Sequence, residues 1–227
     1  MNLDKRLIKD IIRWDVKNWS QCLDYWDLEV GENKKCLELG GAEGGLSLWA
    51  ALKGNEVVCS DINNPKQKAL PLHEKYRVAS RISYEAIDAT NMPYENEFDV
   101  IMFKSVLGGI GRFDKKDQQQ KAVNEIHKAL KPRGKLLFAE NLVGSAFHHF
   151  LRNTFVSWGQ NWRYIRIEEM KILCQGYAKL RCTSSGFVGA FGKTESQRQV
   201  LATLDKWLFN KAVPKNWHYI MFGVAEK

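Results

Sequence analysis

Long apolar runs are absent from this chain of 227 residues. No stretch comes near the roughly 20 apolar residues that a membrane-crossing helix needs. The opening Met1-Asn-Leu-Asp-Lys-Arg mixes charges and lacks the apolar centre of a signal peptide, so a cytoplasmic location is expected. Cysteine is sparse, with five residues at Cys22, Cys36, Cys59, Cys174 and Cys182 and no C-x-x-C pair. An odd, scattered set implies neither a disulfide framework nor a zinc site. Cys36 and Cys59 fall in predicted core strands and read as small buried hydrophobes. Internal repeats, low-complexity tracts, a clear interdomain linker and any nucleic-acid motif are all missing. Acidic residues number 26 against 34 basic ones, a net charge of +8. That balance favours an anionic partner: nucleic acid, a phosphorylated or acidic small molecule, or a membrane surface. The basic residues are dispersed, however. The densest spots, Lys115-Lys116 and Lys131-Pro132-Arg133, sit at predicted helix ends or loops, where solvated surface is the commoner role.

The organising stretch runs from Lys35 to Ser47. A short apolar run (Cys36, Leu37, Leu39) ends at Gly40. A glycine-rich turn follows, with Gly40, Gly41, Gly44 and Gly45, and then a helical run from Leu46 to Lys53 closed by Gly54. Strand, glycine turn and helix form the opening unit of a nucleotide-binding α/β sheet. Glycine lets the backbone turn tightly and approach a ligand that a Cβ would exclude. A second strand, Glu56 to Cys59, leads to Asp61. That acid lies roughly twenty residues past the first glycine, the spacing at which a carboxylate meets ribose hydroxyls.

Glu38-Leu-Gly-Gly-Ala-Glu-Gly44 resembles motif I of the class I S-adenosylmethionine (AdoMet)-dependent methyltransferases, which carry an acid two positions before the first glycine. Ala42 stands where that family often has another glycine. The resemblance implies that Glu38, Gly40, Gly41, Ala42, Gly44 and Asp61, with Ile62 beside it, hold the cofactor. A third strand, Ile82 to Ile87, ends at Asp88-Ala89. There the resemblance implies an aspartate on the adenine amino group and a backbone N–H on the ring; an Asx-type turn is the plain alternative. Phe98 to Phe103 is a fourth strand, ending at Lys104 and a glycine-bearing loop. Lys104 is the residue that family members would place nearest the methyl group; it aims either at the acceptor or at a carboxylate. Ala129-Leu-Lys-Pro-Arg-Gly-Lys-Leu-Leu137 is similar to the family's helix-to-strand junction.

The whole chain then reads as one methyltransferase domain: an α/β, Rossmann-like three-layer sandwich. The expected sheet has seven strands, mostly parallel, with an antiparallel final strand, plus an N-terminal helical cap. Residues 1–30 form the cap, 31–141 the AdoMet-binding core, and 142–227 the acceptor-side half with insertions. Residues 2 to 27 are expected to be helix, with Leu7, Ile11 and Trp14 on one face and Trp19, Leu23 and Trp26 continuing the stripe. Those tryptophans read as core; the resemblance implies instead that the N-terminal helix folds over the cofactor or acceptor, with Trp14, Trp19, Tyr25 or Trp26 walling a pocket. Asp117 to Leu130 is an amphipathic helix, with His127 just off its apolar stripe. Leu136 to Ala139, Leu180 to Ser184 and His218 to Ala225 are the remaining strands. Gly186 to Gly192 reads as a flexible aromatic loop. Gln197 to Phe209 reads as a helix with Val200, Leu201, Leu204 and Leu208 on its apolar face.

Methyl transfer requires the acceptor, methyl and sulfur to be aligned and water to be excluded. A hydroxyl acceptor must also lose a proton. His148, His149 and Glu140 are the candidate bases by chemistry and position, although adjacent histidines on a helix point about 100° apart. Trp162, Arg163 and Tyr164, with Trp158 upstream, interleave aromatic and basic groups; they either bind a sugar face and an anion or form a packed turn. No metal site is visible. The expectation is methyl transfer from AdoMet, leaving S-adenosylhomocysteine, to a small-molecule or glycan-type acceptor, at oxygen. An RNA or protein acceptor, motivated by the charge, and a non-catalytic AdoMet-binding protein are the rivals.

Overall fold

The computed structural model describes residues 4–155 and 161–227, so Trp158 lies outside the described residues. The seven strands are β1 (Lys35–Leu39), β2 (Glu56–Asp61), β3 (Ile82–Ala86), β4 (Phe98–Lys104), β5 (Leu130–Asn141), β6 (Lys179–Ser185) and β7 (Ile220–Glu226). They form one sheet in the order β3-β2-β1-β4-β5-β7-β6. Strands β1 to β5 run parallel, and β7 is antiparallel to both β5 and β6. The central strand β1 reads Lys-Cys-Leu-Glu-Leu, and its last four residues are buried on both faces, as a strand covered on two sides must be. Leu37 lies opposite Val58 on one side and Ile101 on the other.

The chain leaves β1 toward β2 and β3, then returns to place β4 on the opposite flank. Strand order therefore reverses between β1 and β4, and their carboxyl ends open a crevice of the kind where ligands bind.

One face of the sheet is covered by α1 (Lys5–Ile12), α2 (Val16–Trp19), α3 (Gln21–Trp26), α4 (Gly45–Leu52) and α5 (Lys66–Lys75). The other is covered by α6 (Leu107–Ile110), α7 (Lys116–Ala129) and α9 (Ile167–Leu173), with α8 (Ala146–Phe155) following β5. Helix α7 buries Ala122, Val123, Ile126 and Ala129, the stripe its periodicity predicts. Helix α4 is buried almost all round, because it is wedged between the sheet and α1.

Three expectations are corrected. The N-terminal segment is not one helix but three, broken where Arg13 and Asp15 take φ of 76° and 44°. The break is held from a distance: both Glu195 carboxylate oxygens accept, one from Asp15 N (2.9 Å) and one from Val16 N (2.8 Å). The segment Gly186 to Gly192 contains a 3₁₀ turn (Val188–Phe191), with Val188 and Gly189 N–H donating to the buried Asp205 carboxylate at 2.8 Å. Finally, α10 (Glu195–Leu204), extended by a π turn through Phe209, buries Ala202 and Asp205 while Val200, Leu204 and Leu208 face solvent. Its predicted apolar face is turned outward.

Trp26 is fully buried, lies 6.1 Å from Trp49 ring to ring, and donates from Nε1 to Gly223 O at 3.0 Å. It couples the N-terminal helices to β7. Trp26→Ala should cost about 3–5 kcal/mol in denaturant unfolding. A loss below about 1 kcal/mol would show that the N-terminal helices are not part of this core.

Candidate active site

Glu38 sits at the end of β1, where it directs the turn into α4. The first N–H groups of a helix have no partner within it, and Gly44, which precedes α4 at φ 72°, has no side chain to cap it. Glu38 reaches across instead. Its carboxylate accepts from Leu46 N at 3.1 Å, from Ser47 N at 2.8 Å and from the Ser47 hydroxyl. Burial pushes its acid up to about 7, against the lowering effect of those hydrogen bonds. The peptide carbonyl of Glu38 accepts from Ser60 Oγ (2.7 Å), and Gly41 N donates to Ser60 O (2.7 Å), fastening the loop to β2.

Asp61 grips the loop from its other side. Oδ2 accepts from Ala42 N at 3.0 Å, and Oδ1 accepts from Ile62 N at 2.7 Å. Ala42 adopts φ 45°, a strained conformation for a residue with a Cβ. The hydrogen bond from its own N–H to Asp61 holds it there. Space explains two of the glycines. A Cβ on Gly40 would come within 2.5 Å of Val106, and one on Gly45 within 2.0 Å of the Ile11 carbonyl in α1.

Between this loop and the end of β4 lies a cleft of about 260 Å³, lined by Ile11, Arg13, Trp14, Glu38, the 40–43 loop, Lys104 and Ser105. Lys104 Nζ stands 5.1 Å from the Trp14 ring and 5.0 Å from the Trp19 ring. Among the described residues it has no hydrogen-bond acceptor. Desolvation lowers its pKa, opposed by the negative groups around it, Glu38 and Glu140 among them. The indole faces partly compensate an ammonium held away from water. Arg13 pairs with Glu43 across the mouth of the cleft, so α1 and the glycine loop are latched together.

The structure gathers Trp14, Glu38, Gly40, Gly41, Ala42 and Lys104 around one cleft, with Gly44, Asp61 and Ile62 on the same loop system. Asp88 and Ala89 follow β3 at the same edge. Asp88 Oδ1 accepts from Thr90 N and Thr90 Oγ1, both at 2.8 Å, which is the Asx-type turn.

The proposed bases lie elsewhere or are otherwise engaged. Glu140 is fully buried and accepts from Val106 N (2.9 Å) and Leu107 N (2.7 Å), fixing the turn after β4. His148 is buried: Nε2 donates to Phe187 O at 2.8 Å, leaving Nδ1 to accept from Ser145 Oγ at 2.7 Å. Neither nitrogen has a free lone pair, so His148 is a link between α8 and the aromatic turn rather than a base. His149 is exposed on α8 and does not line the cleft. Arg163 pairs with Asp114 (3.0 Å) and Glu169 and donates to Gln119 Oε1 at 2.6 Å. Its guanidinium is thus already engaged by groups of this chain. Trp162 packs against Gly108 and lies 6.4 Å from Tyr164, forming the packed turn.

Sequence reading missed His73, Ser47 and the Arg13–Glu43 latch. Buried His73 bonds Gly44 O through Nε2 (2.9 Å) and Tyr84 Oη through Nδ1 (2.8 Å), so α5 and β3 hold the loop as well. Ser47 did carry a signal, as the one hydroxyl in an otherwise apolar helix; His73 carried none that its neighbours reveal.

Because Glu38 is held more strongly as the acid when folded, its contribution to stability is fully present below about 4.5, the usual carboxylate value, and is lost as pH rises to about 7. The stability advantage of the wild type over Glu38→Gln should therefore shrink between about pH 5 and pH 7 in urea titrations. A gap that widens over that range would contradict this reading of Glu38.

A family model described as a methyltransferase domain matches residues 37–138, from β1 to β5. The ubiquinone/menaquinone biosynthesis C-methyltransferase UbiE of Blochmanniella pennsylvanica is 32% identical over 142 residues. That match spans 59% of this chain and 52% of the relative, so about half of the relative's length. Phosphoethanolamine N-methyltransferase 2 of Haemonchus contortus, solved with S-adenosyl-L-methionine, superposes with a TM-score of 0.64 at 19% identity, covering 92% of this chain and 52% of that one. An N-methyltransferase from Bradyrhizobium japonicum gives 0.60 at 18% identity, covering 92% and 93%. The strand order, the loop built on Glu38 and Asp61 and the match over the central sheet agree: residues 37–138 match a methyltransferase domain, and the chain has the fold of, and resembles, the class I S-adenosylmethionine-dependent methyltransferases.

Proposed function

We propose that this protein transfers a methyl group from AdoMet to a small-molecule or sugar-containing acceptor, at oxygen, with the whole chain acting as one unit. The observation that carries the reading is the cleft itself. Gly40, Gly41 and Gly45 line it without side chains, Asp61 holds the loop beside it at Ala42, and Trp14 and Lys104 are part of its wall. Those groups suit the cofactor: the loop for the methionine portion, Asp61 for the ribose hydroxyls, and the turn at Asp88-Ala89 for the adenine. When bound, AdoMet supplies an electrophilic methyl on positive sulfur.

The protein's part is to orient, to exclude water and to manage charge. Trp14 and the latched α1 narrow the opening to a compact acceptor. Lys104 is the cleft's cationic side chain nearest the end of β4. An ammonium there favours an acceptor that presents oxygen as an anion, because it offsets the developing charge that a separate base would otherwise have to relieve. This is why oxygen is preferred although His148 and Glu140 are engaged elsewhere. The five cysteines are unpaired thiols, which suits a cytoplasmic enzyme. No described helix is long and apolar enough to cross a membrane.

Calorimetry with S-adenosylhomocysteine should show binding that Asp61→Ala weakens by about 1–3 kcal/mol. Labelled AdoMet in a cell extract should place label in small metabolites, and Lys104→Met should lower turnover far more than cofactor affinity. Label confined to RNA or protein would overturn the acceptor reading; absence of cofactor binding would overturn the whole.

A further inference from the structure

The outward face of α10 has no part in the cleft. Val200, Leu204, Trp207 and Leu208 fall at i, i+4, i+7 and i+8, one side of the helix and its π turn, and are 64%, 41%, 76% and 45% exposed. Isolated exposed apolar residues need no explanation, but an aligned stripe ending in a tryptophan does.

Its charge is equally one-sided. Between Gly186 and Trp217 the chain has five basic residues (Lys193, Arg198, Lys206, Lys211, Lys215) and two acids (Glu195, Asp205). Both acids turn inward: Glu195 caps the Asp15–Val16 amides, and Asp205 is buried on Val188 and Gly189 N–H. Lys193, Lys206, Lys211 and Lys215 are exposed, and none has an ion-pair partner among the described residues. What this segment exposes is thus apolar, neutral-polar and cationic, and among its described residues neither carboxylate is fully exposed.

The stripe is backed by a chain of rings. Phe209, at the end of the π turn, lies 5.7 Å from Phe187, which stacks on Trp217 at 6.0 Å and meets Phe191 at 6.1 Å. Phe191 in turn meets Phe147 of α8, itself 55% exposed, at 5.1 Å.

We infer that this face of α10 docks onto an anionic lipid surface, the stripe entering the headgroup boundary and the lysines contacting the headgroups. An interfacial helix needs this combination: apolar on one side, lysine at its margins, and an aromatic with a polar edge at the boundary. A second copy of the chain fits poorly, because it would bring two sets of unneutralised lysines together. Nucleic acid fits less well, because three of the four stripe residues (Val200, Leu204, Leu208) are aliphatic and Trp207 alone among them could stack on a base. The inference does not depend on the methyl-transfer reading, although α10 also anchors α2, beside the cleft, through Lys17 Nζ on Thr203 Oγ1 at 2.6 Å.

The test is co-sedimentation of the full chain with phosphatidylcholine vesicles, with and without phosphatidylglycerol. Binding should require the anionic lipid. Trp207→Ser with Leu208→Ser, and separately Lys206→Glu with Lys211→Glu, should each weaken it by at least about tenfold while thermal unfolding stays that of the wild type. All four positions are exposed, so the fold should tolerate these changes. No pelleting with anionic vesicles, or undiminished pelleting of both variants, would overturn the inference. So would concentration-dependent dimerisation, or binding to single-stranded RNA, that the same variants abolish while vesicle binding persists.

Discussion

A buried carboxylate capping a helix from a neighbouring strand is the constraint on which the rest depends. Glu38 ends β1 and holds the first amides of α4, which sets the path of the glycine loop between them. Asp61 and His73 then secure that loop at Ala42 and Gly44. Three elements on three sides therefore hold a backbone that would otherwise pay an entropic penalty for its glycines. The result is a cleft lined by loop backbone and by Lys104, which among the described residues has no hydrogen-bond acceptor and lies against Trp14 and Trp19. Binding a flexible cofactor against a loop already fixed in place leaves less order to impose at the moment of binding.

Buried acids recur as fasteners through this half of the molecule. Glu140 does for the turn after β4 what Glu38 does for the turn after β1, and Asp205 does the same for the aromatic turn near β7. Each takes at least two backbone donors that no regular ladder satisfies, and each lies at the carboxyl edge of the sheet or next to it. Asp15 joins them: it accepts from Tyr219, and burial pushes its acid up to about 7. Polar residues in this protein are buried where loops must be shaped. That explains how a cleft edge made of irregular backbone keeps a single form.

Much of this was legible in the order of residues. Seven strands could be placed because most are short apolar runs, and β3 and β6 alternate, bounded by glycine, proline or polar turns; the crevice followed from the glycine loop after β1 and the acid after β2. The reach of Glu38 to α4 was not legible, since an acid two residues before a glycine reads the same whether it faces a ligand or a helix end. His148 and Arg163 misled for a related reason. Their residue types suit catalysis and anion binding, but their partners Phe187, Ser145, Asp114 and Glu169 come from other parts of the chain. The outward turn of α10 defeated periodicity altogether. A stripe at helical spacing says that one face is apolar without saying which way it points, and here Asp205, buried to hold a turn, decided the matter.

The most direct test of the central claim is a crystal structure with S-adenosylhomocysteine. The account predicts the ribose on Asp61, the amino-acid portion over Gly40 and Gly41, and the sulfur opening toward Trp14 and Lys104. A ligand bound away from the β1–β4 crevice, or a crevice closed by side chains with no ligand in it, would contradict it.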